Sequence, residues 1–299
     1  MAARPRYGER VIQGLLAACA VISVATTAAI VISLLTPTIG FFDQVTLESF
    51  FSLEEWAPTN SSDPGFGVLR LVIGTLSITF WSLLFAVPLG LLSAIYLSEY
   101  AGPRIRKLIK PVLEVLAGVP TVALGVFALT FISPEVQGVV PGFVKTPPFF
   151  VLAASLGIAL LLLPIIASIS DDAMKAVPGG LREGAYALGA TKLKVSTRVV
   201  FPAAISGIVA SVVLAASRAV GETMVVLLVA GATPNPTFNP GESVLAMTAA
   251  IGRVATGDIA TGTITYDTIF AVGAVLFVMT LGMNAIAIRL VRRFREVYE

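Results

Sequence analysis

The sequence predicts an all-α integral membrane protein with six transmembrane helices. Three observations carry this. Of the 299 residues, 56% are hydrophobic and 13% charged, against about 25% charged in soluble domains. The mean hydropathy is +0.91. Six stretches are each long and apolar enough for a membrane helix, which takes about 20 residues. β-barrel strands would be about 10 residues long with strict alternation, and these runs show neither property.

The spans fall at residues 11–35, 68–98, 112–132, 149–170, 201–231 and 268–290. The first follows Arg4, Arg6 and Arg10, as in a signal peptide, and Leu16-Ala17-Ala18-Cys19 resembles a lipoprotein cleavage box. The apolar run before Cys19 is short, however, and hydrophobicity continues to Leu35, so an uncleaved anchor is expected. Cys19 then reads as a small buried apolar residue. The second and fifth spans are long enough to tilt. A seventh stretch, 243–255, is too short to cross and reads as an interfacial or re-entrant helix.

Basic residues set the expected orientation. Arg4, Arg6 and Arg10 precede span one. Arg104, Arg106, Lys107 and Lys110 follow span two. Lys175, Arg182, Lys192, Lys194 and Arg198 follow span four. Arg289, Arg292, Arg293 and Arg295 end span six. Sixteen of twenty Lys and Arg thus share one side, and positive residues favour the cytoplasm. Both termini are expected to be cytoplasmic. The organisation reads as 1–67 (N-terminus, first anchor and extracytoplasmic loop), 68–290 (core, with a cytoplasmic loop at 171–200) and 291–299 (cytoplasmic tail).

Four spans contain or begin with proline: Pro88, Pro120, Pro164 and Pro202. Interior proline removes a backbone hydrogen bond and kinks a helix, and the freed groups must face protein or water. Spans two to five therefore read as the working bundle, with one and six at its edge. Pro88, Gly118, Pro120 and Pro164 are gate or kink candidates, the segment Ala117–Thr121 above all. Ordinary packing kinks are the alternative.

Span five carries a ridge of small residues, Gly207, Ser211 and Ala215, which allows close helix approach. Arg218 and Glu222 continue the stripe at helical spacing. A charge at mid-membrane costs at least ~2.5–3.5 kcal/mol, so such residues default to function. An arginine fork matches the oxygens of a phosphate-like anion. The expectation is an anion-contact site in a substrate path of Arg218, Glu222 and Thr223, with Glu222 holding Arg218 between passages. The alternative is a buried pair that only orients helices. Glu114 reads as interfacial.

The loop after span four predicts a docking element. Pro178-Gly179-Gly180 makes a turn, Leu181 to Leu188 a short helix, and Gly189 suits a left-handed helix end. Tyr186 and Leu188, flanked by charges, suit a partner surface.

Glu183-Gly184-Ala185, three residues, Gly189, nine residues, then Val199-Val200-Phe201-Pro202 resembles the EAA loop of ABC importer permeases, with Gly184, Val199 and Phe201 departing from the pattern. Ser217-Arg218-Ala219-Val220-Gly221-Glu222-Thr223-Met224 resembles the signature of the C-type phosphate-specific transport permease. Leu116–Thr121, Asn239–Ser243 and Arg292–Glu299 resemble it too. The resemblance implies a type I ABC importer transmembrane domain in the bacterial plasma membrane. It implies ATPase coupling through Arg182, Glu183, Gly184, Ala185, Tyr186, Ala187, Leu188, Gly189, Ala190 and Pro202. Implied partners are an A-type permease, two ATPase subunits and an extracytoplasmic phosphate-binding protein. A phosphate-signalling regulator is compatible. A further permease class, for another oxyanion, or the A-type partner itself, stays open.

Absences fit a transport subunit. The chain has no histidine and one cysteine, which removes His-based catalysis and thiol zinc clusters. No metal and no cofactor is expected on this chain. Gly184 to Gly189 has phosphate-loop spacing, but Ala190-Thr191 replaces the required Lys-Ser/Thr, so ATP and Mg belong to a partner. No basic domain suits nucleic acid. An enzyme or sensor would need polar clusters beyond the Arg218–Glu222 pair. Asn60-Ser61-Ser62 is a formal sequon without expected relevance.

Overall fold

The computed structural model describes residues 7–60, 63–140, 142–257 and 259–294. Readings on Arg4, Arg6, Arg295 to Glu299, Ser61 and Ser62 fall outside the described residues, as do those on the side chains of Arg10, Arg292, Arg293 and Phe294.

Helices alternate with short connections. Helix α1 (Tyr7–Phe42) leads to α2 (Leu47–Phe50) and a hairpin of β1 (Trp56–Ala57) and β2 (Gly65–Phe66). Then come α3 (Leu69–Ile95), which runs on through a π-turn to Tyr100, α4 (Pro103–Ala117), α5 (Thr121–Phe127) and α6 (Ser133–Val139). The central helix is α7 (Val151–Lys175). Helices α8 (Gly179–Ala187), α9 (Lys192–Val195), α10 (Phe201–Ala203), α11 (Ile205–Val220), α12 (Met224–Val229), α13 (Met247–Thr256) and α14 (Ile264–Phe294) follow. Among the described residues, five helices are long and apolar enough to cross a membrane. The pair Lys192–Ala203 and Ile205–Val220, bent by 71°, makes a sixth when taken as one span.

Helix α7 organises the bundle, packing on α3, α4, α5 and α11. Its first amide groups have no partner within the helix. Phe150 N, Val151 N and Leu152 N donate to the carbonyls of Val229, Glu242 and Pro240 instead. The small-residue ridge of α11 serves the α7 contact. A Cβ on Gly207 would lie 2.4 Å from Ala173 Cβ, and Ser211 Oγ is 2.9 Å from Ser170 Oγ. Helix α14 packs on α11 and α13, and α1 packs along α14. Span one lies at the edge, while span six packs on α11 and α13.

At the end of the bundle near the start of α7, Phe41, Phe50 and Phe66 pack edge to face. Arg70 Nε donates to the carbonyls of Leu53 and Glu54, both at 2.8 Å. That tie pins the loop after α1 to the start of α3.

Three expectations change. Cys19 is exposed, because no helix covers the middle of α1. Residues 112–132 are not one span. Helix α4 ends where Gly118 N donates to the carbonyls of Glu114 and Val115. Pro120 biases the residue before it away from helix, and the spanning unit is Thr121–Val139. Residues 201–231 are not one helix either: the chain bends at Ala204, just after Pro202, and opens again at Gly221 to Thr223. The first half of α13, Met247 to Ala250, is buried, while Arg253, Ala255 and Thr256 are exposed. Val244 N donates to Ala230 O, so the chain doubles back between α12 and α13.

Gly207→Leu should overpack the α7–α11 contact by about 1–3 kcal/mol. The check is thermal unfolding in detergent, where an unchanged midpoint would refute the ridge contact.

Candidate functional site

The sharpest polar feature of span five opens on a cavity of about 740 Å³. Its polar lining is Glu114, Ser168, Ser217, Arg218, Glu222 and Asn284. Helices α4, α7, α11 and α14 supply five of them, and Glu222 comes from the break after α11. Pro164 of α7 forms part of the wall. Arg218 is exposed into this space. Ser217 Oγ donates to Asn284 Oδ1 at 3.0 Å, which leaves the Asn284 amide nitrogen able to donate into the cavity. The lining thus combines one guanidinium, two carboxylates, amide and hydroxyl groups, and an apolar wall.

Arg218 and Glu222 share the cavity but do not pair. No ion pair within 4.0 Å joins them among the described residues. The reason is the end of α11 at Val220, which removes the expected i, i+4 register. The Glu222 carboxylate turns to the next helix, where Oε1 accepts from Met224 N at 3.1 Å and Val225 N at 3.3 Å. Those amides begin α12 and have no partner in their own helix. Thr248 Oγ1 in turn donates to Glu222 O at 2.7 Å. Glu222 therefore seals a helix break, and the Arg218 guanidinium stands alone. Thr223 does not line the cavity. Its hydroxyl reaches Gly221 O at 3.3 Å. Glu114, read as interfacial, joins the wall because α4 folds against α7.

The kink candidates separate. Pro164 lines the cavity, and Gly118 and Pro120 flank the break beyond α4. Pro88 sits on an exposed face of α3 with Leu84 and Val87, away from Arg218.

The docking loop forms at the carboxyl end of α7. Helix α8 ends at Leu188, and Gly189 takes φ +78°, the left-handed conformation that favours glycine. Leu188 is 90% exposed. Glu183, Gly184, Tyr186 and Ala187 are exposed too, as is Pro202 in α10. A Cβ at Gly184 would meet open space, so the alanine of the family pattern would fit. Ala185 and Ala190 turn inward onto a small second core under the loop, with Met174, Val177 and Val195. Arg182 also turns inward. Its guanidinium donates to Val177 O and Met174 O, both at 2.7 Å, and lies 3.1 Å from Glu99 Oε1. The predicted loop residues thus divide into an outer face and an inner anchor.

Over residues 86–296 the chain matches the family described as binding-protein-dependent transport system inner membrane component. The chain belongs to that family. It is similar to the probable ABC transporter permease protein YqgH of Bacillus subtilis (strain 168), at 35% identity over 88% of this chain and 84% of the relative. The phosphate transport system permease protein PstC of Mesorhizobium japonicum is 34% identical over 80% of this chain and 76% of its own. A solved bacterial alginate ABC transporter, in complex with an alginate pentasaccharide-bound periplasmic protein, matches with a TM-score of 0.68 over 98% of both chains. At 17% identity it shows the fold alone.

The chain is an ABC importer permease with the type I fold and an inner-membrane component. The cavity lies beside the carboxyl half of α7, at Pro164 to Ile169, and the loop that carries α8 follows directly after that helix. Opposite the docking loop, Lys145 Nζ lies 2.6 Å from Glu242 Oε1, and Asn235 Nδ2 and Asn239 Nδ2 also donate to this carboxylate. The Lys145 hydrogen bond holds the Glu242 carboxyl below its ordinary value. Glu242 thereby closes the loop whose carbonyls cap α7. Sequence reasoning missed Asn284, Glu99 and Asp171. Asn284, a lone amide in an apolar span, was a readable signal, while the two acids acquire meaning only from their partners.

Glu222→Ala should cost about 1–2 kcal/mol by removing the acceptor for two helix-start amides. Glu222→Gln keeps an acceptor oxygen and should recover most of that. Equal melting points for the two variants would show that Glu222 does not act as the cap.

Proposed function

We propose that this permease subunit forms half of a path for inorganic phosphate, with Arg218 as the anion contact. The observation that carries the reading is an exposed arginine on an apolar span, in a cavity between α4, α7, α11 and α14, with no ion-pair or hydrogen-bond partner among the described residues. An unpaired charge on such a span is costly, and an oxyanion offsets that cost while it occupies the cavity. Ser217 and Asn284 add neutral donors beside it. The similarity to a phosphate permease over four fifths of the chain supports phosphate over other anions. That relative is a C-type chain, which favours the C-type over the A-type assignment.

In this reading the subunit pairs with an A-type permease, two ATPase subunits and an extracytoplasmic phosphate-binding protein. ATP and Mg stay on the ATPases. The outer face of α8, from Glu183 to Leu188, docks on an ATPase. ATP-driven movement of that helix opens the path past Arg218 to one side or the other. A phosphate-signalling partner is compatible with this arrangement.

Arg218→Ala should abolish phosphate uptake by proteoliposomes holding the complete transporter, while the subunits still co-purify. Arg218→Lys keeps the charge without the fork and should keep only part of the rate. Wild-type uptake by Arg218→Ala would end the proposal for this residue. Gly189→Val forces a β-branched residue into a left-handed conformation that costs roughly 1–2 kcal/mol. Its expected signature is less phosphate moved per ATP hydrolysed, and an unchanged ratio would count against docking through α8.

A further inference from the structure

We infer that the carboxyl end of α7 is a hub that carries movement of α8 to α4, the helix that walls the Arg218 cavity, with Glu99, Asp171 and Arg182 as positioning residues. The inference rests on the permease reading and adds the internal route by which the docking helix reaches the substrate cavity.

The inward side of the hub begins at Arg182. Its guanidinium takes the carbonyls of Met174 and Val177, in the last turn of α7 and just beyond it. Carbonyls at a helix end lack partners in the helix and carry the negative end of its dipole, so Arg182 locks α8 onto α7. The same guanidinium contacts Glu99, whose side chain is 5% exposed, in the π-turn after α3. Next to it, Lys192 Nζ lies 4.9 Å from the Tyr100 ring centroid. Both flanks of the docking loop are thus held by the end of α3.

The outward side begins at Asp171, 1% exposed. Arg106 of α4 and Lys175 both donate to Asp171 Oδ2, at 2.8 and 2.6 Å. Lys110 of α4 reaches Asp172 Oδ1 at 3.0 Å. Helix α4 buries none of its own residues, so these pairs supply the specific hold on α7. Arg106, Lys110 and Glu114 follow at steps of four and share one face of α4. That face runs from the ion pairs straight to Glu114 and Ala117 in the cavity wall. A rigid helix held at one end by the hub moves its other end with it. Exposed ion pairs contribute little, but Glu99 and Asp171 are buried, and removing a partner leaves an uncompensated charge. The hub therefore has one strongly preferred arrangement.

The test uses the complete transporter in proteoliposomes, with phosphate uptake and ATP hydrolysis measured together. Arg106→Gln and Glu99→Gln should each raise ATP hydrolysed per phosphate moved, by about fivefold or more. Arg106→Lys still reaches Asp171 and should restore the wild-type ratio. In the double variant the loss should not exceed the worse single loss, because both changes interrupt one route. A wild-type ratio in both single variants, or a fall in uptake that only tracks the amount of assembled complex, would overturn the hub. A second measurement needs no variant of the hub. Spin labels at Leu108 on α4 and Lys194 beside α8, in a Cys19→Ser background, should keep their distance on ATP binding if the two move as one body. A distance that shifts on ATP binding would overturn the inference. If the wild-type transporter takes up no phosphate, the substrate reading fails and the label distance still decides the hub.

Discussion

Lipid offers no hydrogen bonds to a backbone, and the rest of this structure depends on that constraint. A span that breaks must have its freed groups covered by protein. This chain breaks at residues 118–120, at Ala204, at 221–223 and through 230–246, and protein groups cover the openings. Gly118 N folds back onto its own helix. Glu222 supplies a carboxylate to the start of α12, and Thr248 takes the Glu222 carbonyl. Met247 N donates to Thr75 Oγ1 on α3. The loop that doubles back gives its carbonyls to the first amides of α7. The seals at Glu222, Thr248, Met247 and the first amides of α7 each tie two elements together, so these breaks bind the bundle as well as interrupt it.

The breaks also make the cavity beside Arg218. A continuous fifth helix would have set Arg218 and Glu222 one turn apart as a neutral pair. Ending α11 at Val220 gives the carboxylate to α12 and leaves the guanidinium facing open volume. The break beside Pro120 lets α4 fold back along α7 and bring Glu114 to the same space. The backbone geometry thus separates two residues that would otherwise cancel.

Charge at the carboxyl end of α7, just beyond the cavity wall, has the opposite character. Arg182, Glu99, Asp171, Arg106 and Lys175 are paired, several of them deep in protein. Their partners lie on four different helices, so they hold elements in register rather than await a ligand. The outer face of the same loop exposes Glu183, Tyr186 and Leu188, the last almost fully. One loop thus presents a surface outward and grips the bundle inward.

The sequence by itself determined the membrane class, the six-span reading, the small-residue ridge and the left-handed glycine at the end of the docking helix. These are local properties: apolar run length, residue size at helical spacing, and the conformational freedom of Gly189. The six-span count holds when the bent pair is taken as one span. Sequence also singled out Arg218, because a charge in an apolar run is conspicuous without knowledge of its neighbours. Only the tertiary structure decided what Arg218 and Glu222 do with each other, that Thr223 faces away from the cavity, that the first half of α13 is buried, and that Arg182 points inward. Helical spacing assumes an unbroken helix, and the breaks arise where proline or glycine meets a neighbouring group able to seal the backbone. That neighbour comes from a distant part of the chain, as Thr75 meets Met247 and Glu99 meets Arg182, so no local pattern could announce it.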